Sequence, residues 1–436
     1  MIIKRMICVC RLVSAVMLML ILNQHVDAAT SSKRYAGGDI SLLPAYEDAG
    51  AKYYDHEGNY ISDLLPFLGK EGMNAMRVRV FVNPTDYTGP DKDPNACQTI
   101  ESVIPLCQRI KAAGMSLMLD FHYSDTWADP AQQYTPLIWA NLDDSTLCEA
   151  VYDYTRESLV KLRDAGVVPD FIQPGNEISF GMLWGPAGTP ESSLKKTFMG
   201  SSANWDRLGA LLRNAIKGCR EVCPEARIVI HTERTADVAV QNNFYNEMKS
   251  LQVSYDIIGL SYYPYFHGPL SSLAGALTSL EANFPGKDIM IVETGYSYKW
   301  EVPGTSCPVD YPYTEAGQDA FARDLVTLLE TYDSVTGLFW WWLEYNAYGT
   351  LLSGWYNAPL FDSTSGKALA ALKTICSFAS SANGVGSTFD ETGHQPGEMQ
   401  WYDLGGRKIA QPGQGISIGK RGTGAPVKII GRRPGL

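Results

Sequence analysis

The 436-residue chain is short of cysteine, of long apolar runs and of basic residues, and each shortage excludes a class of protein. Its 9 cysteines, only seven of which lie beyond residue 29, are too few for a disulfide scaffold. Beyond residue 29 no stretch of about 18 uninterrupted apolar residues occurs, so no membrane span is expected. Residues 30–400 contain 26 Lys and Arg against 45 Asp and Glu, and this acidic balance disfavours nucleic acid as a partner.

The N-terminus has the pattern of an export signal. Lys4 and Arg5 precede the apolar stretch Leu12 to Leu22, which is too short to span a bilayer, and small residues follow at Ala28 and Ala29. We therefore predict a signal peptide over residues 1–29 and a secreted or periplasmic mature protein.

The seven remaining cysteines leave at least one thiol unpaired, because their number is odd. Cys219 and Cys223 stand four residues apart at a predicted helix end, a spacing that suits structural thiols or a disulfide. A metal site is the less favoured alternative, since no second Cys or His pair lies near them in the sequence.

Short apolar runs alternate with amphipathic stretches between residues 30 and 380, as in a protein of the α/β class. Eight runs are predicted strands: 38–41, 75–82, 116–121, 171–174, 228–231, 257–261, 289–293 and 338–342. Amphipathic patterns predict helices over 101–113, 148–165, 205–222, 318–332 and 367–378. Eight strand and helix units over about 340 residues predict a (β/α)8 TIM barrel.

The chain beyond residue 380 differs in composition from the predicted barrel. Residues 381–400 are rich in Ser, Gly and other polar residues, and we interpret them as a linker. Residues 401–436 carry seven basic residues and one acidic residue, and they alternate in a way that predicts a short β-rich C-terminal segment. No catalytic role is expected of that segment.

Two glutamates directly follow buried strands at the place where a parallel barrel builds its active site. Glu177 follows the fourth predicted strand and Glu293 ends the seventh, so the two carboxyl groups could face each other across one pocket. Hydrolysis of a glycoside with retention needs a protonated carboxyl that donates to the leaving oxygen and an ionised carboxylate that attacks the anomeric carbon. The pair therefore predicts a two-carboxylate glycosidase.

Other side chains at the strand ends suit the same chemistry. Arg77 or Arg79 of the second strand could keep Glu293 ionised, and the sequence leaves the choice between them open. A tyrosine of the sixth strand could hydrogen-bond the same carboxylate. Asn176 could hold the sugar hydroxyl next to the reacting carbon, while His122 and a tryptophan of the eighth strand would form the walls and floor that receive the sugar ring.

Seven segments occur in an order that is typical of one enzyme family. They span roughly residues 35–380 and read GGDIS, EDAGAKYYD, GMNAMRVRVFVNP, LDFHYSDTWADPAQQYTP, PGNEISFGMLW, IIGLSYYPYFHG and IVETGY. Together they resemble the glycoside hydrolase family 53 endo-β-1,4-galactanases. The resemblance implies a retaining enzyme whose acid/base is Glu177 and whose nucleophile is Glu293, acting on the β-1,4-galactan of pectin side chains.

The resemblance also implies a set of substrate-binding residues. At the cleavage point they are Asn176, His122, an arginine of the second strand, Tyr262 or Tyr263, and Trp341. At neighbouring galactosyl units they are Asp125, Trp127 and Trp184. The segment FWWWLE at residues 339–344 departs from the family pattern, which leaves the placement of the stacking tryptophan open by one residue.

No cofactor is expected to be required, and we predict a monomer that acts on a polysaccharide. Some bacterial relatives carry an acidic calcium-binding loop after the nucleophile, but residues 296–314 contain only Glu301 and Asp310 as acids, so structural calcium is the less favoured alternative. Two other functions remain open. One is another barrel-clan endoglycanase, such as a mannanase or cellulase, and the other is a non-catalytic galactan-binding protein.

Overall fold

A computed structural model describes residues 33–89, 92–187, 189, 194–198, 203–299, 301–346 and 358–380, together with 399–402, 408–409, 415–421 and 427–431. The chain divides into two compact units, residues 1–384 and 385–436. The predicted signal peptide and nearly all of the predicted linker lie outside the described residues.

The first unit contains a closed barrel of eight parallel strands. They are β1 (Tyr35–Asp39), β2 (Ala75–Val80), β3 (Ser116–Phe121), β4 (Phe171–Pro174), β5 (Arg227–Thr232), β6 (Ile257–Tyr262), β7 (Asp288–Thr294) and β8 (Val335–Trp340). Each strand pairs with its neighbours in sequence, and β1 pairs with both β2 and β8, which closes the barrel. The predicted (β/α)8 barrel is confirmed, with strand boundaries shifted by up to three residues.

Helices pack around the barrel and connect its strands. The helices of the described residues are Leu43–Asp48, Leu64–Glu71, Ile100–Ala112, Asp144–Asp164, Ala203–Val222, Val238–Ser250, Pro264–His267, Leu270–Asn283, Glu315–Leu329 and Ala370–Ser380, with 3-10 turns at Leu137–Trp139 and Ile178–Phe180. A hairpin pairs Tyr53–Tyr54 with Tyr60–Ile61. Val238–Ser250 and Leu270–Asn283 were not predicted, because Asn, Ser and Gly dilute their apolar pattern.

Alternation of side chains along the strands fills the barrel in layers. In one layer the side chains form an apolar cluster, which includes Ala75, Met118, Phe171, Val229, Ile257, Met290 and Phe339. Two residues further along β2, β3, β4 and β5, the inward side chains are polar and fully buried: Arg77, Asp120, Gln173 and His231. This buried polar layer lies directly below the residues at the strand ends.

The second unit contains a four-stranded antiparallel sheet. Its strands are β9 (Met399–Tyr402), β10 (Lys408–Ile409), β11 (Gly415–Arg421) and β12 (Val427–Gly431), in the spatial order β10, β9, β11, β12. The predicted β-rich C-terminal segment is therefore confirmed.

The described residues bear on the expected absence of a membrane span and on the state of the cysteines. Among them no helix is long and apolar enough to cross a membrane. The seven cysteines of the described residues are all unpaired thiols, and Cys219 and Cys223 are both buried. Burial raises the pKa of each of these two thiols, which makes them poor nucleophiles.

Candidate active site

The turn after β4 places Asn176 and Glu177, two predicted site residues, in the lining of a pocket. Gly175 has φ +93°, and a Cβ at this position would lie 2.7 Å from Cγ2 of Ile178, so glycine is required there. Glu177 also has a left-handed backbone, with φ 49° and ψ 51°. That conformation costs a residue with a Cβ about 1 kcal/mol. The surrounding structure therefore fixes the direction in which the Glu177 side chain leaves the turn.

Glu177 and Glu293 line one pocket of about 650 Å³ at the carboxyl ends of the strands. The other residues that line it are Asp93, Asn95, His122, Trp127, Ala128, Asp129, Pro130, Asn176, Glu233, Arg234, Tyr263, Phe266, His267, Trp341 and Trp342. A volume of this size suits a small number of sugar rings.

Glu293 is held by a cation and a phenol. Nη1 of Arg77 lies 2.9 Å from Oε1 of Glu293, and the hydroxyl of Tyr263 donates to Oε2 at 3.2 Å. The Arg77 N–H is not aligned with the carboxylate oxygen, so their contact is an ion pair without a directed hydrogen bond. Burial raises the pKa of Glu293 to about 7, and the charge of Arg77 opposes that rise. The guanidinium therefore favours the ionised form of this carboxyl.

The choice between the two arginines follows from their contacts. Nη1 of Arg79 lies 2.6 Å from Oδ1 of Asp39, and no Arg79 contact with Glu293 occurs among the described residues. Its guanidinium instead lies over three indole rings, at 4.8 Å, 5.1 Å and 5.4 Å from Trp127, Trp341 and Trp342. Arg77 is thus the arginine at the Glu293 carboxylate, whereas Arg79 supports an aromatic wall.

Glu177 has different neighbours. The hydroxyl of Ser261 lies 2.6 Å from its Oε1, and within the described part of the chain no Lys or Arg nitrogen lies within 4.0 Å of its carboxyl. Removal from water raises the pKa of Glu177 well above its ordinary value, and the charges of Glu293 and Glu233 raise it further. These surroundings favour the protonated form of the carboxyl.

Asn176 and His122 are fixed by contacts on the floor of the pocket. Oδ1 of Asn176 accepts from Arg77 at 2.8 Å, and its Nδ2 donates to the carbonyl of Ala128 at 2.8 Å. Nδ1 of His122 accepts the Ala128 amide at 3.1 Å, and its Nε2 lies 3.1 Å from Oδ2 of Asp120. Both side chains therefore present a fixed face to the pocket.

Three tryptophans form a wall of the pocket. The rings of Trp127 and Trp342 are nearly parallel, with centroids 6.3 Å apart and an interplanar angle of 7°, and Trp341 meets Trp127 edge-on at 5.8 Å. Trp341 and Trp342 both line the pocket, whereas Trp340 is buried and donates to the carbonyl of Ala358. Indole rings suit stacking against the apolar face of a sugar.

Besides Arg77 and Arg79, which lie below the pocket, three predicted substrate-binding residues are outside the pocket lining that the structure describes. Both carboxylate oxygens of Asp125 accept backbone N–H groups of loops, at 2.9 Å and 2.8 Å. The buried indole of Trp184 and the hydroxyl of Tyr262 each donate to a backbone carbonyl, at 2.9 Å and 2.8 Å. These three side chains contact the backbone of loops, and their contact with substrate stays a prediction. Tyr263, which directly follows β6, is the predicted tyrosine that lines the pocket.

Glu233 is the third glutamate that lines the pocket, and it was not predicted from the sequence. The predicted fifth strand ended at His231, but β5 continues to Thr232, so Glu233 follows its strand directly, as Glu177 nearly does. The hydroxyl of Ser179 donates to its Oε2 at 2.8 Å, and burial raises the pKa of Glu233 to about 7. Loop residues Asp93, Asn95, Asp129 and Arg234 were also missed, since no periodic pattern marks a loop.

Within the described residues, no group of three or more His, Cys, Asp or Glu side chains is placed to hold a metal ion. The expectation that catalysis requires no cofactor stays a prediction.

Comparison with known proteins identifies the family. The profile of glycosyl hydrolase family 53 matches residues 35–375. The chain belongs to this family. An arabinogalactan endo-β-1,4-galactanase of Thermothelomyces thermophilus is 33% identical over 352 residues, which cover 78% of this chain and 98% of the relative. One from Aspergillus niger is 32% identical over 336 residues, covering 74% of this chain and 89% of the relative.

A solved structure agrees with the family assignment. The family 53 catalytic domain of Ignisphaera aggregans superposes with a TM-score of 0.68 at 31% identity, covering 80% of this chain and 97% of that domain. The chain is thus a glycoside hydrolase on a (β/α)8 barrel. The resemblance read from the seven sequence segments is confirmed.

Proposed function

We propose that this family 53 hydrolase is a retaining endo-β-1,4-galactanase that cleaves galactan or type I arabinogalactan side chains of pectin. The substrate class is supported by the relatives from Thermothelomyces thermophilus and Aspergillus niger, which are named for this activity. The mechanism is supported by one observation above all: Glu293 contacts the cation Arg77, while the carboxyl of Glu177, in the same pocket, contacts the neutral hydroxyl of Ser261.

In the first step Glu293 attacks the anomeric carbon and Glu177 gives its proton to the leaving oxygen. Arg77 keeps Glu293 charged before the attack, and the Tyr263 hydroxyl orients the carboxylate. The C–O bond to the leaving sugar breaks as the bond to Glu293 forms, which yields a galactosyl-enzyme and a free sugar hydroxyl. Asn176 lines the same pocket and is suited to bind the hydroxyl next to the reacting carbon.

In the second step water replaces the departed sugar. Glu177, now ionised, accepts a proton from the water, and the resulting hydroxide equivalent attacks the anomeric carbon. The bond to Glu293 breaks, and Glu293 leaves as a carboxylate beside Arg77. Two inversions give net retention, and Glu177 finishes with the proton it had at the start.

The aromatic wall supplies the binding surface for the sugar. Trp341 and Trp342 are 7% and 5% exposed, so each offers only a small part of its ring to the pocket. A galactosyl ring at the cleavage point can stack on such a surface while its hydroxyls meet Asn176 and His122. Trp127 extends the wall towards neighbouring sugar units.

The test is hydrolysis of linear β-1,4-galactan, followed by chromatography and early-time proton NMR. We expect short galacto-oligosaccharides whose new reducing ends are first β, with no release from mannan or carboxymethylcellulose. First-formed α ends would reject the double displacement. Activity on mannan or cellulose instead of galactan would favour another endoglycanase, and galactan binding without hydrolysis would favour a non-catalytic protein.

Two further properties belong to the same proposal. The N-terminal charge and apolar pattern supports export, so we propose that the enzyme works outside the cytoplasm on polymer that cannot enter it. All the residues of the two steps come from one chain, which supports action as a monomer. Light scattering and fractionation of producing cells test these two points.

A further inference from the structure

Two buried side chains connect Glu177 to the interior of the barrel. Oγ of Ser261 lies 2.6 Å from Oε1 of Glu177 and 2.8 Å from Nε2 of His231. Ser261 and His231 are 0% exposed, so bulk water does not compete for these contacts. They lie on β6 and β5, strands that carry neither Glu177 nor Glu293.

The other ring nitrogen of His231 has both a hydrogen-bond acceptor and a hydrogen-bond donor within reach. Its Nδ1 lies 2.9 Å from Oδ1 of Asn176, an acceptor, and 3.2 Å from Nε2 of Gln173, a donor. The same Asn176 oxygen accepts from Arg77 at 2.8 Å, so the orientation of this amide is fixed. The site can therefore satisfy His231 with its proton on either nitrogen.

One tautomer of His231 suits both protonation states of Glu177. With its proton on Nε2, His231 donates to Oγ of Ser261, and the Ser261 hydroxyl donates to Oε1 of Glu177. The unprotonated Nδ1 then accepts from Nε2 of Gln173. Oε1 therefore accepts the same hydrogen bond in the ionised and the neutral carboxyl, and Oε2 carries the proton when the carboxyl is neutral.

We propose that Ser261 and His231 are positioning residues that hold the Glu177 carboxyl in one orientation while it alternates between acid and base. The inference rests on the acid/base role of Glu177 proposed above. Because Ser261 engages Oε1 in both states, Oε2 is the oxygen that meets the leaving group and later the water. Neither side chain has to gain or lose charge during the cycle.

The orientation of this carboxyl is expected to affect the rate strongly. A catalytic group displaced by about 1 Å can cost about a hundredfold in rate. Without the Ser261 hydroxyl, nothing named above holds Oε1, and the carboxyl can rotate about its last bond. Transfer of the proton to the leaving oxygen then slows, while attack by Glu293 is unaffected.

The experiment compares kcat/KM on two substrates that differ in their need for a proton. Linear galactan has a sugar alkoxide as leaving group and needs the acid, whereas 2,4-dinitrophenyl β-1,4-galactobioside releases a stable phenolate and does not. We expect Ser261→Ala to lose about 10- to 100-fold on galactan and less than about threefold on the dinitrophenyl substrate. His231→Gln, which keeps an amide donor near Ser261, should lose less on galactan.

A control variant separates positioning from general damage to the strands. The control is Thr232→Val, at the residue next to His231. The hydroxyl of Thr232 is hydrogen-bonded to that of Tyr245 at 3.0 Å, and neither residue lines the pocket. This variant should leave the ratio of the two kcat/KM values unchanged. Circular dichroism and thermal melting of every variant establish that it folds.

The outcomes distinguish this inference from the proposed function. Equal losses of Ser261→Ala on both substrates would overturn the positioning role, as would wild-type rates on both. Glu177→Gln, measured in parallel, should lose far more on galactan than on the dinitrophenyl substrate. If Glu177→Gln shows no such difference, the acid/base assignment itself fails.

Discussion

The ends of β4 and β7 place the same type of side chain in two unlike surroundings. At the end of β7, Glu293 meets the guanidinium of Arg77 and the hydroxyl of Tyr263. Near the end of β4, the Glu177 carboxyl meets the neutral Ser261 hydroxyl. Glu293 is buried and Glu177 is half-buried, and burial is the largest cause of the raised pKa of each.

The difference between the two lies in the remaining causes. Arg77 lowers the pKa of Glu293, whereas the charge of Glu293 raises that of Glu177. The first proton to leave the pair therefore leaves Glu293, and its departure makes Glu177 hold its own proton more firmly. In the proposed mechanism, the cation beside Glu293 is what distinguishes the nucleophile from the acid.

The largest effect is expected from replacing Glu293, the proposed nucleophile. Glu293→Gln is expected to lower kcat on linear galactan on the order of 10⁵-fold, because no galactosyl-enzyme can form. Arg77 keeps Asp120 at 2.8 Å, so the melting temperature should change little. Azide should rescue Glu293→Ala on an activated aryl substrate and yield the inverted galactosyl azide. A retained azide product would contradict the assignment.

Removal of the acid should have a smaller effect. Glu177→Gln is expected to lower kcat/KM on galactan about 10²- to 10⁴-fold, since attack by Glu293 remains possible without proton donation. With Glu177→Ala, azide should yield a galactosyl azide of retained configuration, because it attacks the galactosyl-enzyme in place of water. An inverted azide from this variant would exchange the roles of the two glutamates.

Much of this comparison could be predicted from the sequence, because strand ends are marked by the apolar runs before them. The periodicity predicted all eight barrel strands and placed Glu177 and Glu293 at their ends. It could not choose between Arg77 and Arg79, since both point to the same side of β2 and only the tilt of the barrel decides which reaches β7.

The rest depended on contacts that no local pattern records. Glu233 was missed because a one-residue error at the end of β5 turns a strand-end carboxyl into a loop residue. Asp125 and Trp184 each lie in a sequence segment that also contains residues lining the pocket. Their own polar atoms form hydrogen bonds with backbone groups of loops. The contact of Ser261 with Glu177 joins β6 to the turn after β4, residues 84 positions apart.

Exchange of the two arginines for lysine sharpens the comparison through the pH profile. Arg77 lowers the pKa of Glu293, so in Arg77→Lys, whose single ammonium contacts the carboxylate less closely, that pKa should rise. Glu293 then stays protonated to a higher pH, and the acidic limb of kcat/KM moves upward. Arg79→Lys is the matched control, because Arg79 pairs with Asp39, and its acidic limb should not move. Equal shifts in both variants would reject the specific role of Arg77.

The smallest expected effect concerns Glu233, the third glutamate that lines the pocket. The charge of Glu233 is one cause of the raised pKa of Glu177, so Glu233→Gln should lower that pKa, while its amide oxygen can still accept from Ser179. Glu177 then loses its proton at a lower pH, and the alkaline limb of kcat/KM moves downward. Because the pKa of Glu233 is about 7, the profiles of variant and wild type should differ above that pH and coincide well below it. A difference confined to acidic pH would show instead that Glu233 changes the pKa of Glu293. The contact with Arg77 would then not be enough to explain the difference between Glu293 and Glu177.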